Sequence, residues 1–229
     1  MTKDVRKIAA QAACEWIQKG MTVGLGAGTT IAYLVEFLAV DRELAESLVF
    51  LSASAGTTRL LIDNALRVDD TAHHDQVDVY FDGCDQLDQR LYAWKSGGGI
   101  HTDEKILASM ATDFILLADD SKLVDVLTLH FPLVLEVLPA AQQKVKSTIG
   151  KMFPGVELTF RLTAEGAPVL TARNNVLLEA RFPVLPGLDE LDRLKMLPGV
   201  VDHSLFYKMA SKAIVASYGD VKVLQASRF

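Results

Sequence analysis

Residues 21–40 read MTVGLGAGTTIAYLVEFLAV, and this stretch decides the fold. MTVGL (21–25) is an apolar run of strand length. Gly24, Gly26 and Gly28 follow in close succession, and TTIAYLVEFLAV continues as an apolar helix. A buried strand entering a helix through a glycine turn is the repeating unit of a parallel α/β sheet. Upstream, Val5, Ile8, Ala9, Ala12 and Trp16 recur at helical spacing, and Gly20 is placed to close that helix in the left-handed C′ position. Downstream, LVFLSAS (48–54), VDVYFDG (77–83) and DFILLADD (113–120) read as further strands. TTRLLIDNAL and a helix opened by Thr102, Asp103 and Glu104 and continued by ILASMA separate them. Short apolar strands alternating with helices predict a mostly parallel sheet covered on both faces.

The rhythm changes after His130. FPLVLEVLP, VELTFRL, PVLTA and NVLLEARF read as strands, with Asn174-Asn175 as a hairpin turn. AAQQKVKSTIGKM and LDELDRLKML read as helices, the second ending at Pro198-Gly199. AIVASYGDVKVLQ reads as a strand pair turned at Gly219-Asp220. The predicted architecture is α/β. A Rossmann-like, mostly parallel sheet domain takes residues 1–129 plus 204–229, and a smaller α+β domain of ferredoxin-like type, residues 130–203, is inserted into it.

The chain has 229 residues, 50% hydrophobic and 23% charged, with a mean hydropathy of +0.22. That composition builds a large core and argues against long disordered tracts. Twenty-three Lys+Arg against 29 Asp+Glu give a net charge of −6, without the basic footprint that nucleic-acid binding needs. One positive pocket for an anionic small ligand remains compatible with that balance. Cys14 and Cys84 make no disulfide framework and have no metal-ligand spacing, so a reducing cytoplasm is expected. The N-terminal MTKDVRKIAAQAACEW lacks a signal peptide's apolar region, and no apolar run approaches the roughly 20 residues that cross a bilayer.

Four segments carry candidate chemistry. Gly24-Leu25-Gly26-Ala27-Gly28-Thr29-Thr30 offers backbone amides, a helix N-terminus and two hydroxyls, which suit a phosphate; its bland alternative is a tight packing turn. It has no P-loop lysine. Its third glycine falls one place early for a dinucleotide fingerprint, and the next strand ends Leu51-Ser52-Ala53-Ser54 without an acid for a ribose, which disfavours NAD. Asp82-Gly83-Cys84-Asp85 places two carboxylates at a strand's C-terminal end, suited to acid–base work or sugar hydroxyls, or else to a capping turn. Lys95-Ser96-Gly97-Gly98-Gly99 combines a cation with free amides, the equipment for a developing oxyanion. It feeds a helix whose Glu104 is a candidate general base, although first-turn acids also simply suit the helix dipole. Lys122, in Asp119-Asp120-Ser121-Lys122, is a candidate phosphate cation or a solvated lysine, with Lys7 weaker still. His73-His74-Asp75 reads as a solvated loop rather than a metal site. Cys84 reads as apolar filler, because no base partner activates it.

Taken together, these segments resemble the A type of ribose-5-phosphate isomerase. Gly24–Thr30 is similar to the family's GLGTGST, Asp82–Gln86 to DGADE and Lys95–Lys105 to KGGGGALTREK. Asp119–Lys122 is similar to DESK, Phe131–Pro139 to FPLPVEVLP and Pro198–Val201 to PGVV, with a looser likeness over Ser52–Thr58. The resemblance implies a Rossmann-like domain with a small α+β insertion, commonly assembled as homodimers or larger assemblies. It also implies interconversion of ribose 5-phosphate and ribulose 5-phosphate without metal or organic cofactor.

Carried over residue by residue, the resemblance makes Glu104 the base moving a proton between C1 and C2. Asp82 assists ring opening, and Asp85 orients the sugar beside Gly83 and Cys84. Lys95 with the amides of Ser96, Gly97 and Gly98 holds the enediolate oxygens. Ala27, Gly28, Thr29, Thr30, Lys122 and Lys7 hold the phosphate. Gln86 stands where the family has an acid, Ser96 for a glycine, Cys84 and Ile100 for alanines, Ala27 for a threonine, and TARNN (171–175) for TDNGN. A non-catalytic sugar-phosphate sensor on the same scaffold is the alternative, and an acyl-CoA transferase with a glutamate nucleophile is a more distant one.

Overall fold

The computed structural model describes residues 4–226. α1 (Val5–Cys14) opens on Asp4, whose carboxylate accepts from the Arg6 amide, and buries Ala9, Ala10 and Ala13. It stops before the expected Trp16, because the amides of Glu15, Trp16 and Ile17 bond back three residues and tighten the last turn. Gly20, with φ +85°, is therefore not the helix's C′ residue and instead turns the chain into β1 (Thr22–Leu25).

α2 (Thr29–Val40) and α3 (Arg42–Ser47) lead to β2 (Val49–Ser52). α4 (Ala55–Asp63), capped by Ser54, precedes β3 (Val77–Gly83). Two short strands, β4 (Gln86–Asp88) and β5 (Ala93–Trp94), come before α5 (His101–Met110), which runs directly into β6 (Ala111–Asp119) and then β7 (Leu123–Val124). β8 (Leu133–Val137), α6 (Gln142–Met152), β9 (Glu157–Phe160), β10 (Val176–Arg181), α7 (Leu188–Asp192) and β11 (Val200–His203) follow. β12 (Leu205–Phe206), β13 (Lys212–Ser217) and β14 (Asp220–Gln225) complete the order.

The largest sheet has the order β14-β13-β6-β3-β1-β2 and is parallel except for β14, which folds back on β13 at Gly219 as the sequence predicts. Alternate side chains go to opposite faces. Val79 and Phe81 pack with Val23, Leu25 and Leu117 beneath α1 and α2. Tyr80 packs with Phe114, Leu116 and Val215 against Leu107 and Ala108 of α5. The chain is thus an α/β protein with a sheet buried on both sides.

A second sheet, β11-β8-β10-β9, is antiparallel. Its core packs against Val145 and Ile149 of α6 and Leu191 of α7. The expected strand at PVLTA is absent there. Leu162 and Leu170 make only isolated bridges, to Pro168 and Val176, in an exposed segment whose proline has no N–H to donate. LDELDRLKML divides into α7 and a 3₁₀ turn, Arg193–Met196. Asn174, at φ +59°, turns the chain into β10 as expected. A third sheet, β12-β5-β4-β7, escaped the sequence reading, because strands of two or three residues are too short to show a period.

Candidate active site

The C-terminal ends of β1, β3 and β6 share one edge of the large sheet. The chain leaves β1 for β2 on one side and returns to β3 on the other, so β1 and β3 flank a topological switch point, where open α/β sheets bind ligands. The glycines after β1 have specific reasons. A β-carbon on Gly26 would lie 2.0 Å from the Asp82 carboxyl carbon, so only glycine lets the loop cross that residue. Gly28, at φ +101°, is the N-cap of α2 and brings no capping side chain, and the first turn of α2 carries no acid. The first amides of α2 consequently face outward without an internal acceptor.

A cavity of about 340 Å³ opens at this edge. Ala27, Gly28, Thr29 and Thr30 line one part of it, Gly83, Cys84 and Asp85 another, and Lys95, Gly97, Gly98 and Glu104 a third, with Lys122 and Arg6 completing the wall. Four of the segments singled out in the sequence therefore meet in one place.

Beneath the cavity lies Asp82, fully buried. It shares a face of β3 with Tyr80, whose hydroxyl donates to Oδ2 at 2.5 Å, and the amides of Ala27 and Gly83 donate to Oδ1 at 3.2 and 2.7 Å. Lys95 Nζ sits 2.8 Å from Asp82 Oδ2 and 3.3 Å from Glu104 Oε1, and donates to the Gly83 carbonyl at 2.6 Å. Burial is the main cause that pushes Glu104 up to about 8; the Asp82 carboxylate adds to it and Lys95 opposes it. For Lys95, burial works against the charge, but Asp82 and Glu104 outweigh it and hold the ammonium above its ordinary value. Burial likewise raises the Cys84 thiol to about 12, which suits packing and not nucleophilic attack.

Not every expected residue faces the cavity. Asp82, expected at ring opening, is fully buried and does not itself line the cavity, although Lys95, Gly83 and Ala27, which bond it, do. Ser96 is buried, its hydroxyl donating to the Pro132 carbonyl at 2.6 Å. The Ser96 and Gly97 amides, expected to hold enediolate oxygens, donate instead to Asp85 Oδ2 at 2.5 and 3.3 Å, while Gly97 and Gly98 both line the cavity. Lys7 is elsewhere, 4.7 Å above the Tyr33 ring, and Arg6 takes the place expected for it. Neighbours on a helix point about 100° apart, and the Asp4 cap, which ion-pairs with Arg6 at 2.8 Å, is the signal that distinguishes the two.

Two of the departures from the family pattern, Ser96 and Gln86, have local partners of their own. Gln86 points away from the cavity: its Nε2 donates to Thr128 Oγ1 at 3.0 Å and its Oε1 accepts from the Thr128 amide at 2.8 Å. Lys122 Nζ donates to the Cys84 carbonyl at 2.7 Å and braces that wall. His73 and His74 both bond Asp69, at 3.0 and 3.1 Å. At the end of β2, where a dinucleotide fold carries its ribose-binding acid, the Ser52 hydroxyl donates to the Leu25 carbonyl at 2.8 Å.

The sequence pattern of ribose 5-phosphate isomerase A (phosphoriboisomerase A) matches residues 49–219. The chain belongs to the ribose 5-phosphate isomerase A family. Ribose-5-phosphate isomerase A of Methanothermobacter thermautotrophicus is 37% identical over 97% of this chain and 98% of its own. The solved ribose 5-phosphate isomerase A of Methanocaldococcus jannaschii superposes with a TM-score of 0.89 at 30% identity, over 98% of this chain and all of the other. A D-ribose-5-phosphate isomerase solved in complex with phospho-erythronic acid has a TM-score of 0.88, also at 30% identity, over 96% and 97% of the two chains. Membership of the ribose 5-phosphate isomerase A family makes the chain an isomerase, and favours catalysis over a sensing role.

Proposed function

We propose that the chain interconverts ribose 5-phosphate and ribulose 5-phosphate through an enediolate, with Glu104 as the base. The observation that carries this reading is the buried Glu104 carboxylate, 3.3 Å from Lys95 Nζ, with both lining the one cavity that also holds the first turn of α2. The sugar's phosphate pairs with the open amides of α2, the Thr29 and Thr30 hydroxyls, and the cations Lys122 and Arg6. Anchored there, the open-chain sugar extends toward Glu104, so remote binding holds the carbon acid against its base.

Glu104 takes the proton from C2. The C2–H electrons form the C1–C2 double bond, and the C1 carbonyl oxygen becomes the enediolate oxygen. Lys95 and the Gly98 amide stabilise that charge as it develops. The proton on O2 then passes to O1 as the C2 carbonyl forms, and Glu104, its carboxyl proton having exchanged with solvent, protonates C1. Asp82 holds Lys95 in place and raises the basicity of Glu104. Asp85, bonded to the Ser96 and Gly97 amides, orients the sugar hydroxyls.

The insertion at 130–203 that this reading assumes is supported by the sheet β11-β8-β10-β9, whose strands fall within those limits. A cytoplasmic homodimer belongs to the same proposal; two free thiols support the reducing compartment, and no helix among the described residues is long and apolar enough to cross a membrane. Incubating the protein with ribose 5-phosphate in D2O tests the reaction. Ribulose 5-phosphate carrying deuterium at C1, followed by proton NMR, is expected; bound but unchanged sugar would leave a sensor.

A further inference from the structure

Arg161 follows β9, on the sheet opposite the Lys95–Gly99 loop. Its guanidinium has three directed contacts: Nη2 donates to the Ser96 carbonyl at 2.7 Å, Nη1 to the Gly97 carbonyl at 2.9 Å, and Nε to Glu179 Oε1 at 2.7 Å. The Arg161 amide is itself bonded to the Leu177 carbonyl of β10 at 2.9 Å, so the residue is pinned at both ends. Glu179 stands on β10 in register with Thr159 of β9.

The peptides here are trans, and a trans peptide sends its C=O and N–H in opposite directions. Holding the Ser96 carbonyl outward turns the Gly97 amide inward, where it meets Asp85. Holding the Gly97 carbonyl outward turns the Gly98 amide inward in the same way, and Gly98 lines the cavity. Residues 97–99 have no side chains with which to hold this conformation, and glycine is the residue with most freedom to lose. The planar fork of Arg161 grips two successive carbonyls, which a point-charge ammonium does not match.

We propose that Arg161 is a positioning residue for isomerisation: by fastening the Ser96 and Gly97 carbonyls it aims the Gly98 amide at the enediolate oxygen, with Glu179 holding the guanidinium in place. The inference rests on the isomerase reading of this site. It assigns the second sheet a part in the chemistry of the first, through an arginine that touches no substrate.

Arg161→Met, Arg161→Lys and Glu179→Gln are compared with the full-length wild type for kcat, KM, thermal midpoint, and inhibition by inorganic phosphate and by phospho-erythronic acid. The carboxylate of phospho-erythronic acid stands in for the enediolate oxygens, whereas inorganic phosphate reads only the α2 end. Arg161→Met is expected to lower kcat by about 100-fold, the loss typical of one oxyanion donor. It is also expected to weaken phospho-erythronic acid inhibition about tenfold while inorganic phosphate inhibition stays within about twofold, a split that misaims one amide without disturbing the anchor. Arg161→Lys recovers only part of this loss, and Glu179→Gln shows a smaller version of it.

A kcat within about threefold of wild type, or equal weakening of both inhibitors, overturns the proposal by the same reasoning. If Arg161→Met does not fold, the other two variants decide in the same terms. Wild-type turnover is measured alongside. Its absence sinks the isomerase reading and this inference together; its presence with unaffected variants sinks this inference alone.

Discussion

Glu104 Oε1 lies 3.3 Å from Lys95 Nζ, and Asp82 Oδ2 lies 2.8 Å from the same nitrogen. One ammonium thus serves two buried carboxylates. With all three groups ionised the cluster carries one excess negative charge in a dry environment, and protonation of Glu104 relieves it. Burial is the larger cause of a Glu104 carboxyl poised near neutrality, and this unbalanced charge adds to it; a carbon-acid base requires that property.

The pH dependence of kcat/KM follows from this. The base works ionised, and its pKa in the free protein is about 8. The acid limb of the profile is expected to rise with an apparent pKa near 8. Asp82→Asn removes the neighbouring negative charge, so the limb is expected to move to lower pH by at least about one unit. A limb that stays in place when Asp82 is neutralised would detach Glu104 from the profile.

Stability carries the same signature with a determinate sign. Between the ordinary 4.5 and about 8, native Glu104 binds a proton that the unfolded chain has released. Stability from this group is therefore full at low pH and falls as pH rises through that window. Glu104→Gln is expected to melt above wild type at pH 8, with the gap closing near pH 5. Differential scanning calorimetry at the two pH values reads it directly.

His101 is the opposite case. It is fully buried on α5, and neither ring nitrogen has a hydrogen-bond partner among the described residues. Burial and the nearby Lys105 lower it from 6.5 to about 4. Unfolded chains take up a proton that the native state refuses, so stability is lost as pH falls from 6.5 toward 4. His101→Leu is expected to remove that slope and to stabilise the protein by about 1–3 kcal/mol, the cost of an unsatisfied buried polar group. Chemical denaturation at pH 7 and pH 5 checks both statements.

Gly26 shows how tightly the loop crosses the carboxylate. A β-carbon there would meet the Asp82 carboxyl carbon at 2.0 Å, and the contacts that fix Asp82 leave it no room to retreat. Gly26→Ala is expected to cost at least about 3 kcal/mol or to prevent folding, the upper range for overpacking. Near-normal stability in a denaturant titration would contradict the geometry of this crossing.

Much of this was legible in the sequence because it is local. The strand–glycine–helix unit at 21–40 and the apolar runs at 77–83 and 113–120 announce a parallel sheet, and strand ends announce where ligands go. Glu104, Lys95, Asp85 and the Gly26–Thr30 loop were each visible at an element boundary. What escaped was whatever depends on direction in space. Lys7 and Arg6 are adjacent in sequence, and only packing decides which faces the cavity. The sequence marks Asp82 for ring opening but does not show the four partners that hold it below the cavity. Arg161 lies 64 residues from the Gly97 it fastens, in a segment read only as strand, and no periodicity announces a contact of that range.

The most direct test of the account is Glu104→Gln assayed for solvent deuterium incorporation into ribose 5-phosphate, with phospho-erythronic acid binding measured on the same sample. The amide keeps the shape but removes the base. Inhibitor affinity is expected to stay within a fewfold of wild type while exchange slows by about 100- to 10,000-fold, the contribution of a positioned general base. Intact binding with wild-type exchange would contradict it, and the proton would have to be moved by another group.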